Sequence, residues 1–273
     1  MRITTFRSGK TAEQAREHLF KYLKQVSLVA PKTTVMPDIL APVNGKETII
    51  SLVADGAAET VVKARRENPN AKIAVLNFSS FKHPGGGFMT DMLAQEESLC
   101  YCSNLYWELN KHRNDFYAVN SSMLNSGLYA DRAMLSENIS FVASAPENYL
   151  PNKEICTADV ITCAAPNLNY MMRRGRHWDK EVLQAVRDRI HYVNSILAGR
   201  NYDIVIYGAY GCGVFKNDPD FVARCFKWDL QQNYPNSFSR VIFAIPDKSS
   251  KNYLAFKGVP VSYTHLRAHE TKA

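Results

Sequence analysis

No stretch of the sequence comes near the roughly 18–20 consecutive apolar residues of a membrane span. Its opening, MRITTFRSGK, lacks the apolar core that a secretion signal needs. A soluble, cytoplasmic protein with no membrane partner is therefore expected. There is no CxxC pair among the six cysteines, Cys100, Cys102, Cys156, Cys163, Cys212 and Cys225, so the thiols are expected to be free rather than bound to zinc or paired in disulfides. Linker-like composition and internal repeats are also missing, which argues for one domain rather than a string of modules. Positive charge is in surplus at +7 but is scattered, apart from MMRRGRHWDK at 171–180. Such a surplus suits an anionic partner, yet it is more often a solvated surface. No specific nucleic-acid motif accompanies it.

What is present is an alternation of strand and helix patterns, in a chain with 46% hydrophobic residues and hence enough material for a core. From Thr11, TAEQAREHLFKYLKQV reads as a helix, with a Thr11/Gln14 capping box and Ala15, Leu19, Tyr22 and Leu23 on one face. Strands are predicted in ETIISLVAD, AKIAVLNFSS, ADVITCAAPN, DIVIYGA and RVIFAIPD. Helices are predicted in GAAETVVKARREN, in the segment carrying Leu99, Cys102, Tyr106 and Leu109, in WDKEVLQAVRDRIHYVNSILAG, in DFVARCFKWDLQQ behind its Asp218–Pro219 start signal, and in SKNYLAFKG. This rhythm predicts an α/β fold with a mainly parallel sheet covered on both faces, and a ligand site beyond the carboxyl ends of the strands. Residues 1–45 are read as an N-terminal helical extension packed on the core and 46–260 as the core itself. The tail 261–273, VSYTHLRAHETKA, lacks a period, resembles translated adapter read-through, and is read as non-native.

Two glycine-rich loops fall at predicted strand ends. GAYGCGVFKNDP places Gly208, Gly211 and Gly213 between a strand and a helix, where consecutive N–H groups can form a concave anion site. It has neither Walker nor dinucleotide spacing, so the residues alone leave a phosphate cradle and a plain tight turn equally open. Phe215 could cap a ligand there by stacking. The other loop, FKHPGGGFMTDMLAQEE, follows a strand whose last polar residue, Asn77, is placed to bond a hydroxyl or amide. Its three glycines precede Gln95, Glu96 and Glu97, which enter an apolar helix. The acids could face inward, or could merely favour a helix's first turn through the macrodipole.

VLNFSSFKHPGGGF, the GGG-x7-QEE spacing, ITCAAPN, GAYGCGVFKNDP and VIFAIP followed by NYLAF together resemble the microbial-type poly(ADP-ribose) glycohydrolases, a branch of the macrodomain fold. The likeness runs from about Thr11 to Lys257, and GGG followed by QEE is its most specific part. It implies a three-layer α/β/α macrodomain with a mixed, mainly parallel sheet. It also implies a glycosidase that releases ADP-ribose from poly(ADP-ribose) or ADP-ribosylated proteins by cleaving ribose–ribose O-glycosidic bonds, with no metal or cofactor.

Carried over by position, Glu97 is the acid and then the base, Glu96 holds a ribose hydroxyl, and Gln95 positions the pair. Gly85, Gly86 and Gly87 let backbone approach the ribose and phosphates, and Asn77 contacts the distal ribose. The second loop, from Gly208, holds the diphosphate: Gly211, Cys212, Gly213 and Val214 give it N–H groups, and Phe215 packs on the ligand. A general acid at a helix start needs its pKa raised against the dipole, so Glu97 is expected to titrate well above about 4.3 when substrate is bound. Asp91, Met92 and Tyr210 depart from the family pattern. A non-catalytic ADP-ribose-binding macrodomain and a mono-ADP-ribosyl hydrolase are the alternatives.

Overall fold

The computed structural model describes residues 11–26, 28–36, 45, 47–146 and 155–259; the tail 261–273 and much of the segment before residue 46 lie outside them. Seven strands form one sheet: β1 (Lys32–Val35), β2 (Ile49–Val53), β3 (Ile73–Phe78), β4 (Ala133–Phe141), β5 (Cys156–Cys163), β6 (Ile204–Tyr207) and β7 (Arg240–Ala244). Their order is β1-β4-β5-β3-β6-β7-β2. The pairings from β5 to β2 are all parallel, and β4 and β1 add antiparallel edges. The sheet is therefore mixed and mainly parallel, as expected.

Strand periodicity builds a core on each face. Ala74 and Leu76 of β3 pack with Ile161, Val205 and Phe243 against α7 (Lys180–Gly199) and α8 (Pro219–Gln232). Ile73 and Val75 pack on the opposite face, under α1 (Ala12–Leu23), α2 (Ala57–Glu67), α3 (Gln95–Cys102) and α4 (Leu105–Lys111). Three short helices, α5 (Ala118–Ser122), α6 (Leu168–Met172) and α9 (Lys251–Phe256), complete the described set. Helix starts follow local chemistry: the Thr11/Gln14 box closes in both directions on α1, Asp179 caps α7, and Asp218 with Pro219 opens α8. All six cysteines are free. None of the described helices is long and apolar enough to cross a membrane.

Three features differ from the pattern: the segment 1–45, read as a helical extension, supplies β1 to the main sheet, and two further differences are local. The helix expected through Leu99 and Leu109 breaks at Ser103, which is extended at φ −151°. The Ser103 hydroxyl donates to Leu99 O at 2.7 Å and accepts from Leu105 N at 3.2 Å, ending α3 and starting α4 within one side chain's reach. The irregular region after α4 contains β4. Its alternation is hidden by a register shift between Ser136 and Ile139 and by Asn138 in the left-handed region at φ 61°.

Candidate active site

Parallel strands β3, β5 and β6 end side by side, and both glycine loops leave from these ends. Two adjoining cavities open there and share Phe78, Ala94, Val214 and Phe215 in their walls. One, of about 510 Å³, holds Glu96 and Glu97. The other, of about 370 Å³, runs past Gly211 and Gly213 to Ile245, Pro246 and Asn252.

The first loop brings α3 down onto the end of β3. Gln95 fastens the helix start to the strand: its Oε1 accepts from Phe78 N at 2.9 Å and its Nε2 donates to Leu76 O at 2.7 Å. Gln95 thus completes a strand-like pair of bonds and fixes where the next two side chains begin. Glu96 is 3% exposed and Glu97 5%. Glu96 Oε1 accepts from Asn77 Nδ2 at 3.2 Å, and its Oε2 accepts from Ser80 N at 2.7 Å. Glu97 Oε1 accepts from Gly87 N at 2.7 Å, and its Oε2 reaches back to Ala94 N at 2.9 Å.

The middle glycine explains the run. A Cβ on Gly86 would overlap Glu97 Oε1 and lie 2.7 Å from Glu96 Oε2, and its φ is +59°. Both carboxylates therefore crowd one point that only a glycine leaves empty. Burial pushes the Glu96 carboxyl up to about 8; the Ser80 N–H opposes this, the Glu97 charge adds to it, and the Asn77 amide opposes it. At neutral pH Glu96 therefore keeps a proton that an exposed glutamate would have lost.

Between glycines and acids the chain makes a tight turn, in which Thr90 N and Met92 N both donate to Gly87 O, at 2.9 and 3.1 Å. Asp91 takes the left-handed conformation at φ 61°, which aspartate tolerates, and turns outward to Arg16 of α1 at 2.7 Å. The same guanidinium donates to Phe88 O at 2.7 Å and to Tyr101 Oη at 3.1 Å. Met92 lies over Gly87, where an added Cβ would come within 2.6 Å of its sulfur. These contacts account for the two departures in this loop: Asp91 is an anchor to α1, and Met92 is a lid over the backbone that feeds Glu97.

In the second loop, Asn217 Nδ2 donates to Pro166 O at 2.9 Å and Asn217 N to Gly211 O at 3.1 Å, drawing the loop into a closed turn. Gly211 sits at φ +73° against the Asn217 amide and Ala165. Tyr210 is buried, donates from its hydroxyl to Cys163 O at 3.1 Å and sets its ring edgewise 5.6 Å from Phe78. Among the described residues the N–H groups of Gly211, Gly213, Val214 and Phe215 have no acceptor. Phe215 lines both cavities and stacks edgewise on Tyr129 at 6.1 Å.

Four expected contacts are placed differently. Cys212 N donates to Ala209 O at 3.1 Å, so it braces the loop instead of facing a diphosphate. Gly208 lines neither cavity; a Cβ there would meet Ala244 O at 2.7 Å, so it serves strand packing. Asn77 is fully buried, because strand alternation turns it under α3 beside Thr162, and it bears on a ligand only through Glu96. Gly85 likewise turns inward, against Tyr106. The remaining expected residues, Gly86, Gly87, Gln95, Glu96, Glu97, Gly211, Gly213, Val214 and Phe215, all line one cavity or the other. Sequence reasoning missed Ser80 and Ala94, whose contribution is a backbone N–H, and Arg16.

A model of the family described as the microbial-type PARG catalytic domain matches residues 5–143, just over half the chain. No match was found among curated protein sequences. Among solved structures the chain is similar to poly(ADP-ribose) glycohydrolase (PARG) from Thermomonospora curvata, with 25% identity, 93% of this chain and 92% of that one covered, and a TM-score of 0.74. The same enzyme bound to the inhibitor ADP-HPD matches with 25% identity over the same shares and a TM-score of 0.70. Poly(ADP-ribose) glycohydrolase from Deinococcus radiodurans in complex with ADP-ribose matches with 29% identity, 94% and 92% covered, and a TM-score of 0.70. With the GGG and QEE segments inside the matched region and the architecture shared over nearly its whole length, the chain belongs to the microbial-type poly(ADP-ribose) glycohydrolases and is a glycosidase.

Proposed function

We propose that the chain cleaves the ribose–ribose O-glycosidic bonds of poly(ADP-ribose) at the junction of the two cavities, with Glu97 as acid and then base. The observation that carries this is the pair of buried carboxyls gathered at Gly86, one cavity away from the unspent N–H groups of Gly213, Val214 and Phe215. The smaller cavity takes the ADP portion of the unit being released, with the diphosphate on those amides and Phe215 against its ribose. That unit's distal ribose then reaches Glu96 and Glu97. Relatives of this architecture are known with ADP-ribose and with ADP-HPD bound, which supports the same product here.

The chemistry follows from a retained proton. Burial keeps a proton on Glu96 at neutral pH, and the ribose hydroxyl that donates to Glu96 in the complex releases that proton to Glu97. In the productive complex Glu96 bonds a ribose hydroxyl and the proton is delivered from Glu97. It passes to the departing ribose oxygen as the C1–O bond breaks, leaving an oxocarbenium-like sugar and a Glu97 carboxylate. Water then attacks C1 and gives its proton to Glu97, so one water is consumed, two hydroxyls form and the acid is restored. Gln95 and the Gly87 and Ala94 amides hold the carboxylate in place between the two steps.

Glu97→Gln tests this. Release of ADP-ribose from labelled polymer should disappear while affinity for ADP-ribose stays within a few-fold of wild type. Full turnover by that variant would refute the assignment. A wild-type protein that bound polymer and released nothing would make it a non-catalytic binding module, and preference for mono-modified substrates would make it a mono-ADP-ribosyl hydrolase.

A further inference from the structure

The basic segment at 171–180 has no part in the catalytic cleft, yet it joins that cleft to a second cavity. Asn169 of α6 donates from its backbone to Phe215 O at 2.9 Å and from its side chain to Val214 O at 3.1 Å, so α6 is fastened to the diphosphate loop. One residue on, Tyr170 carries the Arg174 guanidinium 3.7 Å above its ring. Trp178 then sets its ring edgewise on Phe221 at 5.7 Å. Phe221 opens a groove of about 770 Å³ between α7 and α8, and Arg187 lies 5.4 Å over its ring. The groove ends at Trp228, which is 60% exposed, the most of any large hydrophobic side chain described.

The groove's charge is cationic where it is open. Arg187 and Arg224 form no ion pair among the described residues. Of its two carboxylates, Asp229 is buried and already accepts from His191 at 2.9 Å and Asn194 at 2.7 Å, while Asp188 at the rim accepts from Gln184 at 2.7 Å. Guanidinium groups beside an exposed indole are what a phosphate-linked purine chain needs: forks for the phosphates and a face for the base. We propose that the α7/α8 groove is a second binding site, for an adenine-diphosphate unit of a poly(ADP-ribose) chain whose cleavable unit occupies the catalytic cleft. The proposal rests on polymer being the substrate. The groove would hold long chains by linking two contacts through one molecule, at no cost to the chemistry of the cleft.

Trp228→Ala and the Arg187→Gln/Arg224→Gln double variant change exposed side chains, so the fold is retained. With long polymer, KM should rise about tenfold for Trp228→Ala, the loss expected for one stacked base. The double variant should also flatten the dependence of KM on salt. Values of kcat, affinity for free ADP-ribose, and turnover of an oligomer too short to reach the groove should not change. An unchanged KM on long polymer overturns the proposal, and so does an equal loss with free ADP-ribose. Binding of labelled long polymer to Glu97→Gln with and without Trp228→Ala, read by fluorescence anisotropy, gives the same answer without turnover. If the wild type cleaves no polymer, that binding difference still reports on the groove, so the two readings fail separately. Equal, Trp228-dependent binding of single-stranded RNA would make the groove a nucleic-acid site instead, and would also overturn the proposal.

Discussion

The two glycine-rich loops leave the ends of β3 and β6, neighbouring parallel strands, and use glycine for opposite ends. In the first, every glycine makes room for protein: Gly85 for Tyr106, Gly86 for two carboxylates, Gly87 for Met92. In the second, Gly208 and Gly211 also face protein, but Gly213 has no heavy atom within 4 Å of where a Cβ would stand, and its amide and those of Val214 and Phe215 are unspent. The first loop is thus filled by its own catalytic groups before any ligand arrives, while the second keeps space and donors for one. The same residue type gives a rigid acid pair in one place and an anion cradle in the other, because the following segment differs. QEE folds back onto the first loop, whereas the second is closed by Asn217 and its own backbone turns.

The largest expected effect falls on the acid itself. Replacing Glu97 by Gln should lower kcat on polymer by about 10²–10⁴-fold, the usual contribution of a positioned proton donor, with little change in ADP-ribose affinity. Next is Gly86→Ala, which removes no chemical group. The added methyl must displace both carboxylates and force alanine to φ +59°, so kcat should fall by about 10²-fold, the scale set by a misplacement near 1 Å. Steady-state kinetics alongside ADP-ribose titration would check both. If Gly86→Ala left kcat intact while weakening ADP-ribose binding, the first loop would be a ligand cradle like the second and the contrast would collapse.

The next effect lies where the first loop is anchored. Arg16 spans Phe88 O, Tyr101 Oη and Asp91 with one guanidinium. Arg16→Met should loosen the turn that carries Met92 and the Gly87 amide, lowering kcat by about tenfold, or roughly 1.4 kcal/mol. ADP-ribose affinity, set by the second loop, should hold within about twofold. Arg16→Lys should recover only part, since all three contacts are made by Nη1, a position that the shorter lysine stem does not fully reach. Equal losses in kcat and in affinity would mean that α1 supports the whole fold rather than this loop.

How much of this could be read from the chain depended on whether a feature is local. The caps of α1 and α8, the strand runs and the nearness of GGG to QEE all lie within a few residues of their cause. Their positions emerged from spacing and turn chemistry alone. Arg16 lies 72 residues from the carbonyl it holds and sits in a helix that reads as ordinary, so nothing local marks it. Ser80 and Ala94 act through backbone N–H groups, which every residue carries. The resemblance, carried over by position, assigns the Cys212 amide to the diphosphate, whereas the turn folds that one back onto Ala209. β4 escaped notice because its bulge interrupts the alternation that identifies a strand.

A smaller and separable effect concerns stability and pH. Glu96 titrates near 8 in the folded chain against an ordinary 4.5, so between those values the folded form holds a proton that the unfolded form has lost. Raising the pH through that window must therefore cost stability, and above it the loss is complete. Glu96→Gln cannot lose that proton. Wild-type Tm should fall relative to the variant from pH 5 to pH 8 and run parallel to it beyond. A constant difference across the series would place the proton elsewhere. A second-loop variant keeps Glu96, so its Tm should run parallel to that of the wild type across the whole series.

The smallest effect sharpens the contrast most. Gly213→Ala adds a methyl where no atom lies within 4 Å and where φ is not in the left-handed range, so neither packing nor backbone objects. Folding stability should change by less than about 0.5 kcal/mol, as for a surface substitution clear of special features. If the diphosphate lies directly over that amide, the methyl instead meets the ligand, and ADP-ribose affinity drops while kcat at saturating polymer is kept. Calorimetric titration of this variant beside Gly86→Ala would then give mirror-image results: affinity lost with turnover retained in one, turnover lost with affinity retained in the other. Unchanged affinity in Gly213→Ala would move the diphosphate towards the Val214 and Phe215 amides, and would leave Gly213 only the job of letting the loop turn.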